Sequence, residues 1–270
     1  MKKYLLYIDI LGFSDLVEMD SDKIQSLYDV IDSLNVHRHN AFKAIVFSDT
    51  VLVYNIDNAS SEEDRDYCVM FACEFVQDLQ FRLVGKNIYF RAVLVLDNFI
   101  HNSLNNLECY YGKALIKAHN LEKDIQAVGL FIDDESNKNN RIFPTKRFDK
   151  DLSFVYLNQS LETLQKNCNG NLLVGSACFQ QSYDYSDILW DIGYLKDIYH
   201  NMKRQDCPCI RDKYLVTWYL YFERYPKILE ALVSNNFSLK SICSSYDWEI
   251  DINRFNDSLK ESDCNSKSIR

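Results

Sequence analysis

Residues 4–17, YLLYIDILGFSDLV, decide the fold: an apolar run carries one carboxylate, Asp9, and ends at Gly12-Phe13. The arrangement recurs at 44–54, where Ala44-Ile45-Val46-Phe47 leads into Ser48-Asp49-Thr50 and then Val51-Leu52-Val53-Tyr54. Short, β-branched-rich apolar runs bounded by turn residues read as buried strands. An Asp within or at the end of such a strand is costly to bury alone, so it normally pairs with a cation or a metal. Two of them, each led by a strand, point to a divalent-metal site on a sheet. Mg²⁺ takes one or two protein carboxylates and draws its remaining oxygens from water and substrate phosphates. These two segments alone equally allow Asp9 and Asp49 to be turn caps.

With 270 residues, 47% hydrophobic and 14% aromatic, the chain has the material for a substantial core. A net charge of -9 argues against a general binder of nucleic acid or anionic membranes, which would carry a basic patch. It leaves nucleotides open, because metal ions neutralise a triphosphate locally. The nine cysteines, at 68, 73, 109, 168, 178, 207, 209, 243 and 264, are odd in number and scattered, as expected for reduced core residues of a cytosolic protein. Cys207-Pro208-Cys209 lacks zinc-site spacing and a matching second pair. Lys2-Lys3 precedes an apolar stretch, but Asp9 interrupts it and no small-residue cleavage site follows. No run approaches the roughly 18 apolar residues of a membrane span. The expected location is the cytoplasm, with no membrane and no nucleic-acid partner, so Asn58-Ala59-Ser60 is not read as a glycosylation site.

In chain order, residues 3–10 read as the first strand and Ser21 as a helix N-cap. Ile24, Leu27, Ile31 and Leu34 then form one amphipathic face over 22–35. Residues 41–47 and 51–56 form a hairpin with Asp49 at its turn. Cys68, Ala72, Phe75, Val76, Leu79 and Leu83 make the next helical stripe, ended by Gly85. A strand over 88–96 contains Arg91. A short strand at 107–111, a turn at Gly112, a helix over 113–124 and a strand at 127–132 follow, before the acidic loop Asp133-Asp134-Glu135.

That order, β-α-β-β-α-β-(β)-α-β, carries four blocks that resemble the catalytic domain of class III nucleotidyl cyclases over about residues 1–135. Asp9-Ile10-Leu11-Gly12-Phe13-Ser14 is similar to the family's first metal motif and Phe47-Ser48-Asp49 to its second, at the hairpin. Phe90-Arg91 is similar to the Arg that opens the next strand. Tyr111-Gly112 with Ala118, Leu121 and Glu122 is similar to the helix that follows. The resemblance implies an α+β fold: a ferredoxin-like (palm-type) core over 1–138, with a mainly helical C-terminal extension over 139–270 packed on it. It also implies two Mg²⁺ or Mn²⁺ ions held by Asp9, Asp49 and the Ile10 carbonyl. The substrate would be a nucleoside triphosphate, in a homodimer with its active sites at the interface.

The departures are as informative. Ile116 and Asn120 stand where the family's helix presents Asn and Arg. Lys113, Lys117 and Asn120 share one helical face and could supply the missing charge, with Arg91 and Lys43 as further cations. Arg91 could equally make a structural ion pair, and the lysines a solvated face. The glycines usual after that Arg are absent around Val93 and Asp97. Ile45 stands where purine cyclases read the base with Lys or Glu; Phe13, Lys43 and Cys109 complete the expected substrate surroundings. Loss of the purine partner with the metal motifs kept favours another base, and the start Tyr7-x-Asp9-x-Leu11-Gly12-Phe13-Ser14 resembles that of the short pyrimidine cyclases of Pycsar anti-phage systems, which make cyclic UMP or cyclic CMP. A purine cyclase, or a degenerate cyclase-like domain that binds nucleotide or a partner without turnover, are the alternatives.

Beyond residue 138, a basic loop over 141–150 leads to a strand at 152–157 and a helix start at 159–164. Tyr214, Trp218 and Tyr221 form an aromatic stripe over 211–225 suited to a core or a dimer contact. Short helices at 226–233 and 238–244 and a frayed tail at 261–270 complete the reading.

Overall fold

The structure is a computed structural model that describes residues 1–34, 40–168, 185–204 and 206–264. The chain forms two compact units. One comprises Met1–Leu79 with Ile88–Leu157, the other Gln80–Asn87 with the chain from Asn158 onward.

The first unit is built on β1 (Lys2–Ile10). Then come α1 (Phe13–Met19), α2 (Ser21–Ser33), the hairpin β2 (Phe42–Phe47) and β3 (Thr50–Asn55), α3 (Glu62–Arg82) and β4 (Phe90–Asn98). The four strands lie in the order β2-β3-β1-β4, every neighbour antiparallel, which is the ferredoxin-like, palm-type arrangement. β1 is central and buried along almost its whole length, which is why it reads as an unbroken apolar run rather than an alternating one. Its even-numbered residues Tyr4, Leu6 and Ile8 share a face with Phe42, whose ring stacks on Phe71 of α3 at 3.9 Å. Val69, Cys73, Val76 and Leu79 bury the matching stripe of α3.

The opposite face takes α4 (Lys113–Asp124), through Ala114, Ala118 and Glu122. This helix crosses over to β7 (Gly129–Asp133), which lies parallel to β4. The sheet continues past Lys138, because β9 (Leu152–Val155) pairs with β7 and β8 (Thr145–Arg147) pairs with β9. β5 (Ile100–Ser103) and β6 (Glu108–Tyr111) form a separate two-stranded sheet.

The α+β, palm-type core is as expected, and local details differ. Asp20, not Ser21, caps α2, its carboxylate accepting from the Lys23 N–H at 3.1 Å. α1, β5 and β8 were not visible in the sequence pattern. β4 pairs regularly with β1 from Phe90 to Asn98 despite its missing glycines. Asp133 is the N-cap of a single turn, α5 (Asp134–Asn137), rather than part of a loop. Asn35, Cys178 and residues 265–270 lie outside the described residues.

The second unit contains helices Gln159–Cys168, Tyr185–Arg204, Pro208–Arg224, Pro226–Ser234 and Glu249–Cys264. The aromatic stripe is core: Tyr214, Trp218 and Tyr221 are buried. Two helices, Tyr185–Arg204 and Glu249–Cys264, lie where the sequence reading placed none or a frayed tail. Residues 238–244 yield only a single 3₁₀ turn, Leu239–Ser241. Cys68, Cys73 and Cys243 are free and buried, whereas Cys207 and Cys209 are free and exposed. Among the described residues, no helix is long and apolar enough to cross a membrane.

Gly112 sets the start of α4. Its φ of 144° is a glycine conformation, and a Cβ there would lie 2.3 Å from the Asn98 carbonyl oxygen. Gly12 has φ 69° but open space around it. Gly112→Ala is therefore expected to cost more than the roughly 1–3 kcal/mol of backbone strain alone. Gly12→Ala should cost only about 1–2 kcal/mol. Urea unfolding of the two variants checks the order.

Candidate active site

The register of β1 puts Asp9 opposite Thr50 on one side and Arg91 on the other. At the same end of the sheet the β2–β3 turn is formed by Ser48, at φ 56°, and Asp49. The Ile10 N–H donates to the Asp49 carbonyl at 2.9 Å, and the Leu11 N–H to that of Tyr89 at 2.9 Å. Asp9, Ile10 and Asp49 thus come together because one strand end and one hairpin turn are stitched to each other.

Asp9 pairs with Arg91, whose Nη2 lies 3.0 Å from Asp9 Oδ2. The same nitrogen pairs with Glu122 Oε1, and Nη1 donates to the Ile125 carbonyl at 3.2 Å. One guanidinium therefore serves two carboxylates, Asp9 from β1 and Glu122 from α4. Asp49 stands nearby at the turn, joined to this strand end through its main-chain carbonyl. No group of three or more His, Cys, Asp or Glu side chains that could hold a metal is present among the described residues. Two carboxylates and a main-chain carbonyl, without His or Cys, suit a hard, oxygen-seeking ion such as Mg²⁺ or Mn²⁺ that completes its shell with water and phosphate.

The pleat sorts the other expected residues. Ile45 lies opposite Leu52 and Lys43 opposite Tyr54, both half-buried and both on the Asp9 face by strand alternation. Lys43 lines a pocket toward the other end of the sheet. Phe13 is buried, its ring 6.4 Å from that of Tyr28, and packs α1 against α2. Cys109 sits on the separate β5–β6 hairpin, opposite Asn102.

On α4, Lys113, Ile116 and Asn120 are exposed. Lys117 is not: its Nζ lies 2.5 Å from Oδ2 of the buried Asp133. Gly129 is the residue opposite Arg91, and Asp133 lies four residues further along β7, about 13 Å at strand rise. Within one chain, Lys117 is thus held away from Asp9. The contacts made by Tyr7 and Glu122 escaped the sequence reading. Tyr7 sits 3.2 Å from His119 Nδ1 and 3.4 Å from Thr50 Oγ1, and burial pushes its phenol above the ordinary range. The available signal was its position two residues before Asp9, hence on the same face. Glu122 was noticed as part of a motif, but not as the partner of Arg91.

No family model and no curated protein matches the chain. Solved structures do. The monomeric guanylyl cyclase domain of the RhoGC fusion protein from the aquatic fungus Blastocladiella emersonii is 16% identical, covering 57% of this chain and 94% of its own, with a TM-score of 0.46. The adenylyl cyclase CyaB from P. aeruginosa is 13% identical over 57% of this chain and 93% of its own, with a TM-score of 0.42. A class III adenylyl cyclase-like ATP-binding protein from Pseudomonas aeruginosa is 14% identical over 52% of this chain and 35% of its own, with a TM-score of 0.41.

Removing Arg91 strands two carboxylates, one of them buried. Arg91→Met should destabilise the fold by about 3–5 kcal/mol, the range for breaking a buried pair from one side. Adding Glu122→Gln to that variant should recover a large part of the loss. Denaturant midpoints of the two variants decide it; equal midpoints would mean that Glu122 is not what Arg91 neutralises.

Proposed function

We propose that the protein is a nucleotide cyclase converting a nucleoside triphosphate to a 3′,5′-cyclic monophosphate and pyrophosphate. The observation that carries this reading is the Asp9–Thr50 register. It sets Asp9 beside the turn that bears Asp49, next to a half-open sheet face carrying Ile45. Asp9, Asp49 and the Ile10 carbonyl would hold two Mg²⁺ or Mn²⁺ ions. When bound, such ions lower the pKa of the ribose 3′-OH and offset the charge of the triphosphate.

The chain's own residues then position and select. Arg91, held by Glu122 and the Ile125 carbonyl, fixes the direction of the Asp9 carboxylate. The 3′-hydroxyl gives its proton to solvent as its oxygen attacks the α-phosphorus, the bond from that phosphorus to the α–β bridging oxygen breaks, and pyrophosphate leaves with the electron pair. Cationic groups aimed at that charge lower the barrier. Lys113 and Asn120 are exposed and would serve the site of a second copy in a homodimer. Lys117 would first have to leave Asp133.

Ile45 offers an apolar wall where a purine edge would need a hydrogen-bonding partner. A stranded polar edge is costly. The substrate proposed on this ground is a pyrimidine triphosphate; the order UTP ahead of CTP, and a signalling role of the cyclic nucleotide in anti-phage defence, rest on the resemblance to the pyrimidine cyclases alone. A second reading, nucleotide binding without turnover, is favoured by one observation: Asn120 replaces the charge that the resemblance leads one to expect.

Incubation with Mn²⁺ and an equimolar mixture of the four ribonucleoside triphosphates tests both. Cyclic UMP or cyclic CMP should dominate, and Asp9→Ala or Asp49→Ala should reduce turnover at least about a hundredfold while the chain stays folded. Lys113→Ala should slow it roughly ten- to a thousandfold. Cyclic AMP or cyclic GMP as the main product would sink the base assignment alone. Bound nucleotide with no product would favour the second reading.

A further inference from the structure

The first unit has a pocket that the carboxylate site does not use. Its volume is about 530 Å³, and its lining includes Lys3, Lys43, Tyr54, Ile56, Phe99 and His101. Lys3 and Asp9 share a face of β1 but lie six residues apart, about 20 Å along the strand. The pocket thus opens at the far end of the sheet from Asp9 and Asp49.

Two cations line it. Lys3 is only 7% exposed, and its ammonium donates to the Ile56 carbonyl, its hydrogen-bond partner among the described residues. An ammonium has three donors, so one carbonyl leaves it under-served. Burial pushes its pKa below the ordinary lysine value, with the charge of Asp57 opposing. Lys43 reaches in from β2, opposite Tyr54, and makes no ion pair among the described residues. Glu108, whose carboxylate feels the charge of Lys43, is already engaged by His101 and by Ser103. Its carboxyl is accordingly held below its usual range, by those hydrogen bonds first.

The walls are flat and aromatic. Tyr54 packs against Phe99 with centroids 4.8 Å apart, and its hydroxyl lies 2.9 Å from His101 Nδ1. His101 in turn stacks on Tyr110 at 4.7 Å. These contacts fix the rings before any ligand arrives, so little is lost in ordering them. The volume falls within the roughly 300–1,000 Å³ of small-molecule sites.

We infer that this pocket binds a small anion with a planar ring, of the phosphorylated nucleoside class. The ring would lie against His101, which the buried Tyr54 holds in place, and the phosphate would accept charge-assisted hydrogen bonds from Lys3 and Lys43. An anion there adds acceptors to the Lys3 ammonium, which has one carbonyl, and gives Lys43 a counter-charge, whereas a neutral ring does neither. The inference does not rest on turnover at Asp9, and it moves Lys43 away from the metal-side substrate site.

Calorimetric titration of the full chain without divalent metal tests it, with uridine 5′-monophosphate, 3′,5′-cyclic UMP, uridine and inorganic phosphate as probes. One of the two nucleotides should bind saturably, and which is tighter names the open or the cyclic source. Uridine and phosphate should each bind at least about tenfold more weakly, or 1.4 kcal/mol. Lys43→Ala should weaken the nucleotide at least about tenfold and Lys43→Glu abolish it. Asp9→Asn, verified as folded by circular dichroism, should leave the affinity unchanged. Absence of saturable binding overturns the inference, as does binding that survives Lys43→Glu or disappears with Asp9→Asn. Phosphate binding as tightly as the nucleotides would overturn the assignment of a ring.

Discussion

A carboxylate on a strand walled in by two others needs a cation, and Arg91 supplies it from the strand directly across. The antiparallel register of β1 and β4 makes that meeting unavoidable, because a slip of one residue would turn every side chain to the other face. The same guanidinium reaches Glu122 and the Ile125 carbonyl at the end of α4. It therefore pins the crossover helix to the sheet as well as the acidic residue to its place. Sheet, helix and charge arrangement are joined through one planar group with several donors, which a lysine in its position could not reproduce.

Much of this was legible in the chain. Two apolar runs, each with an acidic residue near its end, read as strands and a hairpin because they are short, rich in β-branched residues and bounded by turn residues. Arg91 was visible, and its role as an ion-pair partner was one of two readings open to it. What remained hidden depended on contacts between distant segments. Lys117 reads as a solvated helical residue, and only the fold reveals the buried Asp133 beneath it. Phe13 belongs to a motif by spacing, yet its ring is consumed in packing against Tyr28. Tyr7 looks like any apolar strand residue until His119 and Thr50 arrive on either side of its hydroxyl.

Helix Tyr185–Arg204 was missed for a different reason. Ile188, Ile192, Leu195, Ile198 and Met202 are buried at helical spacing, but Tyr, Trp and Gly residues between them blur the stripe. β5 and β8, of four and three residues, are too short to establish a period at all.

The last residues of α3 and the turn that follows them have a consequence for how the protein is made. Residues Gln80–Asn87 are flanked on both sides by the first unit, yet they belong to the second. There Gly85 donates its N–H to Asp197 at 2.7 Å, Phe81 stacks near Trp190, and Val84 fills the space beside Gly193. All three partners are synthesised about a hundred residues later. On the ribosome, the sheet has every strand it needs while that segment still waits for its helix. The two units are therefore not beads threaded in order, and a chain cut after Leu157 would keep the question without the answer: eight residues with their partners gone.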